Sequence, residues 1–384
     1  MLNFFLFRGG KMTPTIDEER MKQFFSTVMK KDKLTPAEQL ILNNPVEQRI
    51  KIASNEHTPP EILSMLADDW CLDVRGCVAE NLNTPPEILQ QLATSDDTYI
   101  RVAVAQHPNI PPALLKELAC DSYANVRMVV ARNPDTPPET LKKLADDENE
   151  VVRIYVALNP NTPSETLKKL ASDSYANVRK AVARNPDTPP ELLKTLANDS
   201  SVSVCKAVAY NPNTPPETLK KLANDSSVNV RVAVAQHPNT PPETLNKLAN
   251  DSSVDVRKAV ASNRNTPPET LKKLADDEDE NVCKEVAFNR NTPPETLQQL
   301  ATRNEYYIRV CVALNINTPP ETLKKLANDS SDDICGAVAS NPHTPPETLK
   351  KLASDSSLEV REAVAKNPNT PPDIRDKLRA ELNL

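Results

Sequence analysis

The feature that most constrains this chain is a period. The Thr that opens each "TPPE"-like motif falls at 58, 84, 136, 162, 188, 214, 240, 266, 292, 318, 344 and 370, all spaced by multiples of 26. Ile110 fills the one missing place, and no copy carries an insertion or deletion. A fixed interval of this size means an array of supersecondary units, none of which buries its apolar face alone. The 384 residues would otherwise suggest two or three globular domains.

Columns of the repeat are numbered from that Thr as zero. Leu at +5 and +8 with Ala at +9 (Leu219, Leu222, Ala223) makes the apolar stripe of a short first helix, and Leu at +8 recurs in all thirteen copies. The T-P-P-E string is expected to act as a capping box, Thr214 accepting from the Glu217 N–H and Glu217 reaching back. Its prolines suit a first turn that has no N–H to satisfy. Glu217 and Lys221 are spaced for an i,i+4 surface pair. Asp or Ser at +11 to +13 (Asp225, Ser226, Ser227) is expected to cap a second helix. That helix buries Val or Ile at +16, Val at +20 and Ala at +21, with Val at +20 in all twelve full copies. Asn at +23, replaced by His107 and His237 in two copies, and the Pro that usually follows then stop it. No stretch alternates with period two, and the proline pairs would break a ladder, so β-sheet is excluded. The expected fold is all-α, a solenoid of helical hairpins.

The ends differ from the middle. Residues 1–33 are read as a leader plus an amphipathic capping helix carrying Met21, Phe24, Phe25 and Val28, and residues 34–57 as a degenerate capping repeat. Residues 58–369 are the twelve repeats, and 370–384 a capping helix in which Arg375 stands where the other copies carry Leu. The opening "MLNFFLF" is too short for a secretory h-region, so a disordered leader or a mistaken start upstream of Met12 is expected there and not a targeting segment.

The alternation of "VRxAVA" with "NPxTPPExLxxLA" from about Thr35 to Leu378 resembles the leucine-rich repeat variant family. The resemblance implies a right-handed helical solenoid and an interaction scaffold rather than an enzyme. Two departures stand out: the period is longer than the family's usual repeat, and residues 1–57 hold no Cys to match the iron–sulfur segment of one branch. "DSSVDVR" (251–257) is also similar to the second helix of HEAT repeats, with Asp and Arg six apart. Asp at +11 occurs in ten of twelve copies and Arg at +17 in nine, which suits a hydrogen-bonded ladder between repeats. A phosphate-binding arginine row is the alternative.

Chemistry is sparse. The seven Cys form no C-x-x-C pair; Cys205, Cys283 and Cys335 take the arginine column, and buried, reduced thiols in a cytoplasmic protein are expected. His57, His107, His237 and His343 lie in the inter-repeat turns without a second ligand at metal spacing. Four glycines cannot build a phosphate loop. No metal, no cofactor, no catalytic site, no membrane segment and a monomeric state are expected.

Function is therefore sought where near-identical copies disagree, at +15, +18 and +22, which share one face of the second helix. Val151, Ile154 and Leu158, joined by Tyr155, and the set Tyr307, Val310 and Leu314 are apolar where most copies are polar or small. They are read as anchors for a protein or peptide. The basic residues Lys180, Arg184, Lys206, Lys258 and Lys284, with Tyr210 and Phe288 for stacking, would serve the alternative, a nucleic acid or other polyanion. The net charge of −7 and acidic flanks such as Asp73, Glu80, Asp333, Glu359 and Glu362 favour the first reading.

Overall fold

Short helices follow one another at half-repeat intervals. The computed structural model describes residues 44–384, so the expected leader and amphipathic helix, with residues 34–43 of the degenerate copy, lie outside the described residues. Among the described residues there are 26 helices and no strand. Residues up to Thr188 belong to one compact unit and those from Pro189 to another. The first unit runs through eleven helices from Val46–Ala53 to Ala176–Arg184, the second through fifteen from Pro190–Leu196 to Pro372–Leu382.

The double proline decides how each first helix begins. Pro215 is extended at the N-cap (ψ 147) and Pro216 opens the helix Pro216–Leu222, where its missing N–H has no partner to lose. This leaves Thr214 one residue outside the cap, and the expected capping box does not form. Its hydroxyl instead donates to the Val208 carbonyl of the preceding second helix, 2.5 Å away, and its N–H to the Asn211 carbonyl at 3.0 Å. Thr84 on Val78 and Thr318 on Val312 repeat the hydroxyl contact at 2.5 Å. The Thr column is thus a tether between successive helices.

The second helices are nine residues long and begin after a turn built by the +11 side chain. Asp225 accepts the Ser227 N–H at 2.8 Å, so the carboxylate closes a turn ahead of the helix and does not cap it directly. Direct side-chain caps come from Asp97, Asn149 and Asp279. The +16, +20 and +21 column is fully buried, as Val230, Val234 and Ala235 show. Each repeat also buries its two first-helix leucines, such as Leu219 and Leu222, at roughly 1.5–3 kcal/mol per large aliphatic side chain withdrawn from water.

Within each unit the second helices stack on one another. Glu150–Leu158 lies between Ala124–Arg132 and Ala176–Arg184 in the first unit, and Tyr306–Leu314 between Glu280–Phe288 and Asp332–Ser340 in the second. A first helix touches the second helix before it and the one after it. The last helix, Pro372–Leu382, packs on Leu358–Lys366 through buried Leu378.

Candidate interaction surface

Three inter-repeat ladders engage most of the recurring polar side chains. In the first, Arg231 donates through Nε and Nη2 to Asp251 of the next repeat at 2.6 and 2.9 Å, and through Nη1 to its own repeat's Asp225 carbonyl at 2.9 Å. Asp251 accepts the Ser253 N–H as well, at 2.9 Å. The same rung joins Arg101 to Asp121, Arg127 to Asp147 and Arg153 to Asp173 in the first unit, and Arg257 to Asp277 and Arg309 to Asp329 in the second. Hydrogen bonding by Arg231 holds the Asp251 carboxyl below its usual range, while Asp251 raises the guanidinium. With their donors directed at fixed carboxylates, these arginines do not form an open phosphate-binding row. The degenerate copy contributes a rung that a column count starting at Arg75 misses: Arg49 to Asp69, at 2.6 and 3.1 Å.

The +23 column does more than end a helix. Asn341 donates to the carbonyls of Ala313 and Asn315 in the preceding repeat at 2.7 and 2.9 Å, and accepts the His343 N–H at 2.9 Å. His237 performs both tasks with one ring, Nε2 on the Asn211 carbonyl and Nδ1 accepting from the Asn239 N–H, each at 3.0 Å. The third ladder corrects the expected Glu217–Lys221 pair. Lys221 reaches back to Asn198, as Lys273 does to Asn250 and Lys169 to Asp146. Gln299 makes the same contact with Asp276 at 2.5 Å. A partner in the preceding repeat replaces the one on the same helix.

Cys205, Cys283 and Cys335 are buried, as expected, and Cys120 is exposed beside the Lys143 ammonium. Among the described residues no group of three His, Cys, Asp or Glu is arranged to hold a metal ion, and no helix is long and apolar enough to cross a membrane. A depression of about 350 Å³ is lined by Asp277, Glu278, Asp279, Glu280 and Arg303, of which Asp279 caps a helix and Asp277 belongs to a ladder rung.

The variable columns remain. Every +22 side chain is exposed, among them Leu158 (41%), Tyr210 (50%), Phe288 (64%) and Leu314 (45%). Val151 at +15 is 40% exposed. Ile154, Tyr155, Tyr307 and Val310 are half-buried, so the face is less open than its pattern suggests. The neighbouring repeat accounts for this. The Tyr99 ring at +15 lies over buried Gly76 at +18 of the repeat before it, close enough that an added Cβ would stand 2.7 Å from its Cε1. A hydrogen bond to Glu80 at 2.6 Å fixes that ring.

The first unit brings Val151, Ile154 and Leu158 beside Lys180 and Arg184, on helices packed together. The second holds Lys206, Tyr210, Lys258, Lys284 and Phe288, followed by Tyr307, Val310 and Leu314. There Lys206 lies over the Tyr210 ring at 5.8 Å, and Tyr210 donates to Gln236 at 3.2 Å. Tyr306 and Tyr307 meet edge to face at 5.7 Å. A nearby carboxylate, Glu280, pushes the pKa of the Tyr307 phenol up to about 12. One column went unnoticed in the sequence. At +24, Pro gives way to Arg264, Arg290 and Ile316 in three successive copies, all exposed. Reading the turns as closely as the helices would have found it.

Stacked hairpins of a single repeat length make each unit an all-α solenoid. The chain belongs to the leucine-rich repeat variant family. The family's repeat profile matches residues 124–149, 151–174, 176–201 and 254–279, and its domain profile matches 203–262 and 335–383, together more than half of the chain. Among solved structures, the chain is similar to a leucine-rich repeat variant with a novel repetitive structural motif, at 27% identity over 58% of this chain and 87% of that one (TM-score 0.46). It is also similar to an engineered protein, at 17% identity over 90% and 99% of the two chains (TM-score 0.26). A third similarity is to a chain from the structure in which Kap95p binding induces the switch loops of RanGDP to adopt the GTP-bound conformation, at 11% identity over 96% and 59% (TM-score 0.40). No curated protein sequence matches.

Proposed function

We propose that this protein is a non-catalytic, cytoplasmic and monomeric scaffold whose second-helix face binds a protein or peptide. Val151, Ile154, Tyr155 and Leu158 serve as anchors in the first unit, and Tyr307, Val310 and Leu314 in the second. The observation that carries the reading is the exposure of Val151 and Leu158 on a helix whose Val152 and Val156 already fill the core. Nothing in the stack requires large apolar side chains at those two positions. The buried ionisable groups that recur, Arg at +17 and Asp at +11, are engaged in a ladder, whereas catalysis needs a unique convergent cluster.

The alternative reading, a nucleic acid held by Lys180 and Arg184 in the first unit or by Lys206, Lys258 and Lys284 in the second, makes a different demand. Phosphate binding weakens steeply with salt, while apolar anchoring does not. Capture of partners from lysate by the full chain, compared with a Val151→Ser/Leu158→Ser variant and repeated after nuclease treatment, separates the two. Partners lost in the variant and indifferent to nuclease support the scaffold; nuclease-sensitive capture that the variant retains rejects it.

A further inference from the structure

The +24 column of the repeat is Pro in eight of twelve full copies. The departures are Leu82 and, in three successive copies of the second unit, Arg264, Arg290 and Ile316. These three turns are lashed side by side. Asn291 donates its side-chain amide to the Arg264 carbonyl and Asn317 to the Arg290 carbonyl. Asn289 holds the Asn263 carbonyl and Asn315 the Asn289 carbonyl, these two at 2.9 Å. The turn side chains therefore project from a fixed row at the C-terminal ends of stacked second helices. In the same row stand Phe288, 64% exposed, Leu314 at 45% and Ile316 at 43%. Lys284, also exposed, lies one helical turn before Phe288.

The cations of this row lie outside the ladder, whose rungs here are made by Arg257 and Arg309. The last turns and connecting turns themselves, residues 262–264, 288–290 and 314–316, contain no carboxylate. A chain with a net charge of −7 thus concentrates unpaired positive charge around an exposed phenylalanine, in copies that have lost the standard proline.

We infer that this row, from Arg264 to Ile316, is a docking site for an extended peptide segment that combines Asp or Glu with large apolar side chains. Arg264, Arg290 and Lys284 take the carboxylates; Phe288, Leu314 and Ile316 take the apolar groups. Charge complementarity selects an acidic occupant, and the two aliphatic side chains select a peptide over a nucleic acid, because bases stack on rings and not on Leu or Ile. The inference rests on the scaffold reading and names a partner class for it.

The test selects a random dodecapeptide display library on the full chain and removes peptides that also bind an Arg264→Pro/Arg290→Pro/Ile316→Pro variant. That variant restores the residue eight other copies carry at this turn, so folding is retained. The surviving peptides are expected to carry at least two Asp or Glu together with a large apolar residue. Their affinity should fall about tenfold or more for Arg290→Glu and weaken with salt. Survivors without carboxylate enrichment, or no survivors, overturn the inference, as does a twelve-nucleotide oligouridine that binds tighter than any selected peptide and is lost in the variant. If binders ignore the turn substitutions but are lost with Val151→Ser/Leu158→Ser, the docking row falls and the scaffold reading stands. If neither variant loses them, both fall.

Discussion

The Arg303 guanidinium donates to the Cys283 thiol at 3.3 Å and to the Ala275 carbonyl at 2.8 Å. These residues occupy the two positions of a ladder rung, +17 and +11 of the next repeat, where the regular pair is Arg and Asp. Cys has replaced the first partner and Arg the second, so the rung persists with its polarity reversed and its carboxylate gone.

A double-mutant cycle follows from that exchange. Cys283→Arg alone places two guanidiniums in one slot and should destabilise the protein by about 1–3 kcal/mol, the range for an unpaired charge in a partly buried site. Adding Arg303→Asp rebuilds the regular rung and should recover that loss. Urea unfolding of the four proteins measures a coupling of about 2 kcal/mol or more; strictly additive effects would show that the two side chains do not share a rung.

The regular rungs make stability depend on acid. Asp251 is held below its ordinary value of 3.8 by Arg231, so the unfolded chain takes up its proton first as pH falls. The contribution is fully present above the ordinary carboxylate range and is lost as pH drops through the folded value. Asp121, Asp147, Asp173, Asp277 and Asp329 are lowered in the same way, with burial opposing and the arginine partner prevailing. The contribution of the rungs should therefore hold from pH 7 to about 5, and denaturation midpoints should fall steeply below 4. Arg231→Ala should cost about 3 kcal/mol at pH 7, as expected when one partner of a buried pair is removed, and much less at pH 3. An equal loss at both pH values would remove the ion pair from the account.

His237 adds a smaller step at higher pH. Burial lowers its pKa below the usual 6.5, against an opposing hydrogen bond to the Asn211 carbonyl. A depressed histidine contributes stability above its unfolded pKa, and that stability is lost as pH falls through the histidine range. Protonation would also fill Nδ1, which accepts the Asn239 N–H. His237→Asn supplies the side chain that most copies use there. It should flatten the stability profile between pH 7 and 5 while leaving stability at pH 8 within about 0.5 kcal/mol. Persistence of the slope in the variant would assign it to another group.

Gly76 and Gly336, both on second helices, should respond in opposite ways to Ala. Nothing lies within 4 Å of a Cβ built at Gly336, so Gly336→Ala should stabilise by roughly 0.5–1 kcal/mol through helix propensity. At Gly76 the same Cβ meets the Tyr99 ring, which Glu80 holds in place. Gly76→Ala should gain nothing or destabilise, and Gly76→Ala with Tyr99→Ala should regain the propensity term. Thermal melts of the three variants decide it; equal gains at both glycines would mean that the Tyr99 ring is free to swing.

Replacing Val151 and Leu158 by Ser should change stability by no more than about 0.5 kcal/mol per site, because both side chains are exposed. Partner capture should weaken roughly tenfold for each lost anchor, or about 1.4 kcal/mol. Ile154→Ser, at a half-buried position, should also lower the melting temperature. A double mutant that unfolds readily would place Val151 and Leu158 in the core.

The period, the helical hairpin and the buried columns were legible in the chain, because thirteen aligned copies of Leu at +8 and twelve of Val at +20 reveal burial directly. The Asp–Arg ladder was legible too, since its partners recur at fixed offsets. Local pattern misassigned Thr214, Asp225 and Lys221, each of which was given a partner on its own helix. Thr214 turns back to Val208 of the preceding repeat, while Asp225 closes a local turn on the Ser227 N–H. Lys221 crosses to Asn198. Sequence spacing measures distance along one helix, whereas the contacts that decide Thr214 and Lys221 lie across the gap to the preceding repeat. The half-burial of Ile154 and Val310 has the same origin, because a variable column shows that the core does not need a residue and leaves open how far the next helix covers it. The row of turns at Arg264, Arg290 and Ile316 became a surface only when Asn291 and Asn317 fixed three loops side by side, a juxtaposition produced by tertiary stacking alone.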